Sequence, residues 1–166
     1  MHAFIVFGMS SNVSIRRLRP GDIATLRALN AMFAAAFEDA EHYAAAPPDD
    51  AYLGAQLAKP QVVALVAEAR GSVIGGLVAY VLDKLEQARS EIYIYDLAVA
   101  EACRRQGVAS ALIAALRPVA REAGARVIYV QADPVDQPAV ALYTKLGRRQ
   151  DALHIDIDVE PREPIG

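Results

Sequence analysis

Residues 95–110 read YDLAVAEACRRQGVAS. Up to Val99 the stretch has the β-branched and aromatic richness of a strand beginning near Glu91. Beyond Gly107 it turns to small residues, and Val108, Leu112, Leu116 and Val119 then place one apolar stripe on a helix. A strand handed to a helix through two arginines and a glycine has a physical use. The first N–H groups of a helix lack intrahelical acceptors, and the positive end of the helix dipole lies behind them. Gly107 lets a ligand approach the backbone, Ala109 and Ser110 keep the first turn small, and Arg104 and Arg105 offer charge-assisted donors to phosphate oxygens. Taken alone, the segment reads equally well as a basic surface turn before a helix. No Gly-Lys-Ser/Thr follows Gly107 and the Gly-x-Gly-x-x-Gly spacing is absent, which argues against nucleotide hydrolysis and hydride transfer.

The flanking sequence alternates strands and helices. VSIRRLRP reads as a strand ended by Pro20 and Gly21, and Asp22 is placed to cap a helix carrying Ile23, Leu26, Asn30, Phe33 and Phe37. AAAPPDD breaks that pattern at Pro47 and Pro48, and Asp50 is placed to cap a short helix, AYLGAQLA. VVALVAEA and VIGGLVAYVL flank RGS, a hairpin signal of the longer-loop kind. The paired glycines of VIGG indicate a bulge or close packing. Pro118 is a flaw in the helix after Gly107, because it removes the bond to the Ala114 carbonyl and favours a kink. RVIYVQA reads as a buried strand. DQPAVALYTKLG reads as a short helix with Asp136 as cap, Pro138 in its first turn and Gly147 as stop, and ALHIDIDV as a closing strand. The order describes an α/β (α+β) sheet covered by helices in a single domain over residues 13–160, with a loose extension at 1–12 and a tail at 161–166.

A chain of 166 residues that is 54% hydrophobic can bury one two-layer core. A net charge of −3 argues against broad capture of nucleic acid and favours cationic partners. Cys103 is the only cysteine, so an internal disulfide and a cysteine-rich metal site are excluded and a cytoplasmic location is expected. The opening MHAFIVFGMSS lacks the features of a signal peptide, and no segment reaches membrane-spanning length.

RRQGVA resembles the Arg/Gln-x-x-Gly-x-Gly/Ala signature of the GCN5-related N-acetyltransferases, which follows the fourth strand of that fold as it follows EIYIYDLAV here. ALYTKLG resembles the tyrosine-bearing helix of the same family. QARSEIYIYDLAV, RRQGVASALI, VIYVQAD and PAVALYTKLG together are similar to the type I gentamicin 3-N-acetyltransferases, over roughly residues 50–158. The resemblance implies a mixed sheet whose fourth and fifth strands splay apart to admit the pantetheine arm of acetyl-CoA. Leu97 and Val99 would pair with that arm, and Arg104, Arg105, Gln106, Gly107, Val108, Ala109 and Ser110 would cradle the pyrophosphate. It also implies a polycationic aminoglycoside acceptor, a homodimer, direct acetyl transfer and no metal.

Direct transfer needs a neutral amine and a proton for the departing thiolate. Tyr143 stands where the family carries its general acid; otherwise it is a half-buried aromatic on an amphipathic helix. Asp96 is the leading candidate base, with a buried, backbone-satisfied aspartate as the alternative. Strict alternation puts Asp96 on one face with Ile92, Ile94 and Ala98, where apolar surroundings would raise its pKa, although a bulge could re-aim it. Glu91, on the opposite nominal face near Tyr93 and Tyr95, is the second candidate. Asp83, Glu86, Asp133, Asp136, Asp156 and Asp158 are candidate contacts for a polyamine if they converge; singly, each reads as a solvated carboxylate or, for Asp136, a helix cap.

Overall fold

Gly75 and Gly76 set how closely the helices approach the sheet. The computed structural model describes residues 4–5 and 13–159. Its elements are β1 (Phe4–Ile5), β2 (Val13–Arg17), α1 (Ile23–Ala36), α2 (Ala40–Ala45), α3 (Asp50–Ala58), β3 (Val62–Ala69), β4 (Ser72–Asp83), β5 (Ser90–Val99), a 3-10 turn (Glu101–Cys103), α4 (Val108–Glu122), β6 (Ala125–Val130) and α5 (Gln137–Leu146). The strands form one sheet in chain order; β1 to β5 pair antiparallel and β6 runs parallel to β5. Two compact units result. Met1–Gln131 carries the sheet and α1 to α4, and Ala132–Gly166 carries α5.

Successive strand residues face opposite sides of a sheet, so Gly75 and Gly76 report both faces. A Cβ on Gly76 would lie 2.2 Å from Leu29 Cδ1 of α1 and 3.0 Å from the Leu65 carbonyl oxygen; one on Gly75 would lie 3.1 Å from Val108 Cγ1 of α4. Close packing explains the pair. On one face Leu26, Leu29 and Phe33 of α1 and Leu53 and Leu57 of α3 pack with Ala64 and Val66. On the other, α4 buries Val108, Leu112, Ile113 and Leu116, and it runs unbroken through Pro118 to Glu122. Gly76→Ala should therefore overpack the α1 face and cost about 1–3 kcal/mol, read as a lower Tm, whereas Gly21→Ala should be far milder because its Cβ meets nothing within 4 Å.

Several sequence expectations change. Asp22 holds the N-cap position of α1 but makes no side-chain cap bond; its carboxylate accepts from Arg16 and from the Arg19 N–H instead. Asp49, rather than Asp50, caps α3 by accepting from the Tyr52 N–H at 2.7 Å. The hairpin between β3 and β4 is a tight one: Ala69 pairs with Ser72, leaving Arg70 and Gly71 at φ 52° and 77°. Phe4 and Ile5 pair with β2, while the rest of the expected loose extension, and the tail at 161–166, lie outside the described residues. The expected closing strand ALHIDIDV does not form, and Leu153, Ile155 and Ile157 are exposed. Alternation defines a face for a strand but does not supply the neighbour whose N–H and C=O groups complete it.

Candidate active site

The site in the first unit is organised by the end of β5. Pairing with β6 stops at Ile94↔Val130, while β5 continues to Val99, so among the described residues only the β4 edge is occupied by a strand from Tyr95 onward. The other edge is open to an extended ligand, as strand addition requires. Leu97 and Val99 lie on this segment. The buried hydroxyl of Ser90 donates to the Ala123 carbonyl and ties the start of β5 to the end of α4.

A bulge decides where Asp96 points. Ala79 pairs with Ile94 and Val78 pairs with Asp96, so Tyr95 is the additional residue. Asp96 therefore does not share a face with Ile92 and Ile94, as unbroken alternation would require. It joins Glu91 and Tyr93 on the α1 side, where Val78 and Ala98 also pack. One inserted residue thus moves Asp96 away from Ile92 and Ile94, while Glu91 keeps its expected face beside Tyr93.

On that side a groove of about 860 Å³ is lined by Asn30 of α1, Asp39, His42 and Tyr43 around α2, and Tyr95 and Asp96 of β5. Glu38 makes the geometry of the α1–α2 corner: it sits at φ 56°, and the Glu38 and Asp39 N–H groups close the end of α1 on the Ala35 and Ala34 carbonyls. The Asp39 side chain makes no cap bond to α2. Burial holds the Asp96 carboxyl above its ordinary value, and burial followed by the charges of Asp96 and Asp39 pushes the Tyr43 phenol up to about 12. Two carboxylates and a protonated phenol thus share one groove. Asp39 and Tyr43 are not candidates in the sequence, where α2 is hidden in an alanine-rich stretch, and His42 is set aside there because no Cys-His-Asp or Ser-His-Asp arrangement goes with it; the signal for this segment is the polar run EDAEHY.

The turn after β5 is shaped for an anion. Gly107 is at φ 82° and Arg105 at φ 63°, both left-handed, and the first α4 bond runs from the Ala111 N–H to the Gly107 carbonyl. The N–H groups of Val108, Ala109 and Ser110 consequently have no intrahelical acceptor. A non-glycine residue held at positive φ beside such a helix start is local backbone strain of the kind that clusters at ligand-binding sites. The two arginines differ. Arg104 donates from Nε to the Val99 carbonyl at 3.2 Å, which braces the turn against β5, whereas Arg105 has no ion pair among the described residues. Gln106 donates to the Ala102 carbonyl.

The other candidates are committed locally. Glu91 is ion-paired with Arg89 at 2.8 Å, and Glu86 meets Arg89 at 3.3 Å and Lys84 at 3.6 Å. Asp83 ends β4 opposite Ser90, at the far end of β5 from Asp96. In the second unit Asp133 accepts from the Val135 N–H, Asp136 caps α5 by accepting from the Ala139 N–H, and Asp156 bonds His154. Asp158 is exposed. Tyr143 lies on α5, and its phenol is raised by burial and, secondarily, by Asp136. Asp39 and Asp96 line one groove, a pair of acidic residues outside the set the sequence offered for a polyamine.

A β5 segment unpaired by β6, a helix start with outward amides and a groove lined by Asp39 and Asp96 thus lie along the end of β5 and the turn that follows it. Residues 26–147 match the Acetyltransferase (GNAT) family, and the chain belongs to it. It is an acetyltransferase of the α/β class, and the family uses acetyl-CoA. It is similar to an aminoglycoside acetyltransferase, HMB0005, from an uncultured soil metagenomic sample: 48% identity, TM-score 0.88, covering 90% of this chain and 99% of that one. A second soil metagenomic aminoglycoside acetyltransferase, meta-AAC0020, in complex with sisomicin, is 29% identical with TM-score 0.82, covering 89% and 97%. Among curated proteins, a probable N-acetyltransferase family 8 member 5 of Mus musculus is 26% identical over 94 residues, which is 57% of this chain and 41% of that protein.

The turn fits the pyrophosphate of acetyl-CoA: the glycine leaves open space, the amides point outward and the Arg105 cation is available. Arg105→Ala should weaken acetyl-CoA binding roughly tenfold, the value of one charge-assisted contact, with a smaller change in acceptor KM. Calorimetric titration with acetyl-CoA checks this. Arg105→Gly separates charge from backbone strain, because it removes the same cation and relieves the positive φ.

Proposed function

We propose that this chain transfers the acetyl group of acetyl-CoA to an amine of an aminoglycoside, at the 3-amino position, in the cytoplasm of a cell that thereby resists the antibiotic. The observation that carries the reading is the groove in which Asp96 and Asp39 lie beside the open edge of β5. Two structural relatives named as aminoglycoside acetyltransferases, one holding sisomicin, support the acceptor class. The 3-amino position rests on the resemblance of the β5 to α5 motifs to the gentamicin enzymes.

In this reading the backbone of Leu97 and Val99 pairs with the pantetheine arm, and the α4 turn from Arg104 to Ser110 holds the phosphates. An alkylammonium with a pKa of about 10 must lose a proton before it can attack. Asp96 accepts that proton, and its raised pKa brings it toward the range of an effective base. Glu91 is the weaker alternative, since Arg89 already neutralises it. The amine nitrogen attacks the thioester carbonyl, the C–S bond breaks, and Tyr143 donates its phenolic proton to the departing sulfur. Asp39 attracts a second ammonium. Two copies of the chain associate, and no metal takes part.

The test is to incubate the protein with acetyl-CoA and gentamicin, kanamycin, spermidine or a lysine peptide, following thiol release and product mass. Acetylated gentamicin is the expected product, and NMR of that product locates the amide. Acetylation of spermidine or peptide alone would replace the acceptor class, and cosubstrate binding with no product would make the chain an acyl-CoA sensor.

A further inference from the structure

Beside the groove, the sheet presents a row of phenol rings that the transfer chemistry does not use. Tyr80 of β4 pairs with Tyr93 of β5, and Tyr93 pairs with Tyr129 of β6, so one register row places tyrosine on three neighbouring strands. The β5 bulge adds Tyr95 to the same side. Tyr93 and Tyr129 are stacked with centroids 5.0 Å apart, and Tyr95 stands edge-on to Tyr93 at 5.7 Å and to Tyr80 at 5.9 Å. Tyr80, Tyr95 and Tyr129 are 36%, 64% and 37% exposed, and the Tyr93 hydroxyl donates to Gln131 at 2.9 Å.

A contiguous exposed aromatic surface of this kind marks a binding face. Its position names the occupant. Tyr95 belongs both to the row and to the groove containing Asp96 and Asp39, so a ligand reaching from one to the other would meet carboxylates at one end and π faces at the other. Both attract cations, and tyrosine faces also accept the flat apolar side of a sugar ring. A neutral or acidic partner would gain nothing from the acidic end.

Building on the proposed function, we infer that the Tyr80–Tyr95–Tyr93–Tyr129 row is the second half of the acceptor site. There a further ring of a polycationic amino sugar lies across the phenols while its reacting amine is held at Asp96. The row would then select multi-ring acceptors over single-ring ones without touching the reacting atoms.

Tyr129→Leu tests this at the ring farthest along the row from Asp96, and Tyr129→Phe keeps the π face. Steady-state rates are measured with kanamycin, which has three rings, and with 2-deoxystreptamine, which has one, alongside thermal melts and sedimentation equilibrium. The expected result is a kanamycin KM raised roughly 3–30-fold in Tyr129→Leu with kcat nearly constant, a much smaller rise for 2-deoxystreptamine, and recovery in Tyr129→Phe. Equal KM changes for the two acceptors, or none, would overturn the inference. So would a change of oligomeric mass with kanamycin KM unaltered, which would make the row a contact between copies. Wild-type protein that acetylates gentamicin but not kanamycin would overturn the inference alone, whereas one that acetylates none of the three compounds would sink the proposed function, and the inference with it.

Discussion

Asp96→Asn is expected to lower kcat with the preferred amine by about a thousandfold, the middle of the range for loss of a positioned general base. Acetyl-CoA affinity should change little, because the Asp96 side chain points to the α1 face. The same variant carries a stability signature with a definite sign. Burial raises the folded-state pKa of Asp96 above its unfolded value. The native state therefore binds this proton more tightly, and the carboxyl's contribution to stability declines as pH rises from the unfolded pKa through the folded one. Asn cannot ionise, so Asp96→Asn should melt at or above the wild-type temperature near neutral pH and lose that part of the pH dependence. A variant that is slow and also markedly less stable would point to a structural aspartate. Retention of full activity would remove Asp96 as the base.

Tyr143→Phe is expected to lower kcat roughly a hundredfold, through loss of a general acid, with a modest loss of cosubstrate affinity. Burial and the Asp136 charge raise the Tyr143 phenol above its usual value of 10. A raised pKa keeps the acid protonated further into the alkaline range. Wild-type kcat should therefore hold on its alkaline side until above pH 10, and Tyr143→Phe should remove that limb along with most of the rate. The pH profile of kcat under saturating substrates measures both. Undiminished turnover in Tyr143→Phe would leave thiolate protonation to water.

Much of the candidate cosubstrate turn was legible in the sequence. RRQGVA lies at the start of α4 because glycine and small residues after a strand dictate a local turn, and the amides of any helix start face outward. The α5 helix, its Asp136 cap and its Gly147 stop follow from nearest-neighbour chemistry too. The acceptor side was far less legible. Alternation along EIYIYDLAV put Asp96 with Ile92 and Ile94, and the additional residue at Tyr95 reversed that assignment. A bulge depends on how β4 pairs across the hairpin, which no local pattern in β5 records.

Asp39 and Tyr43 illustrate the same limit. Their short helix has no apolar stripe of its own, and they matter because Glu38 turns the chain so that α2 meets the end of β5. The tyrosines of β4, β5 and β6 are unremarkable singly and become a surface only in register. Sequence by itself determined the strand and helix order from β2 to α5 apart from α2, the open helix start at Gly107 and the acetyltransferase family, because each rests on interactions within a few residues or on a contiguous motif. Tertiary structure alone decided the face of Asp96, the pairing of Asp39 with it and the tyrosine row, because these arise from strand register and helix approach between residues far apart in the chain.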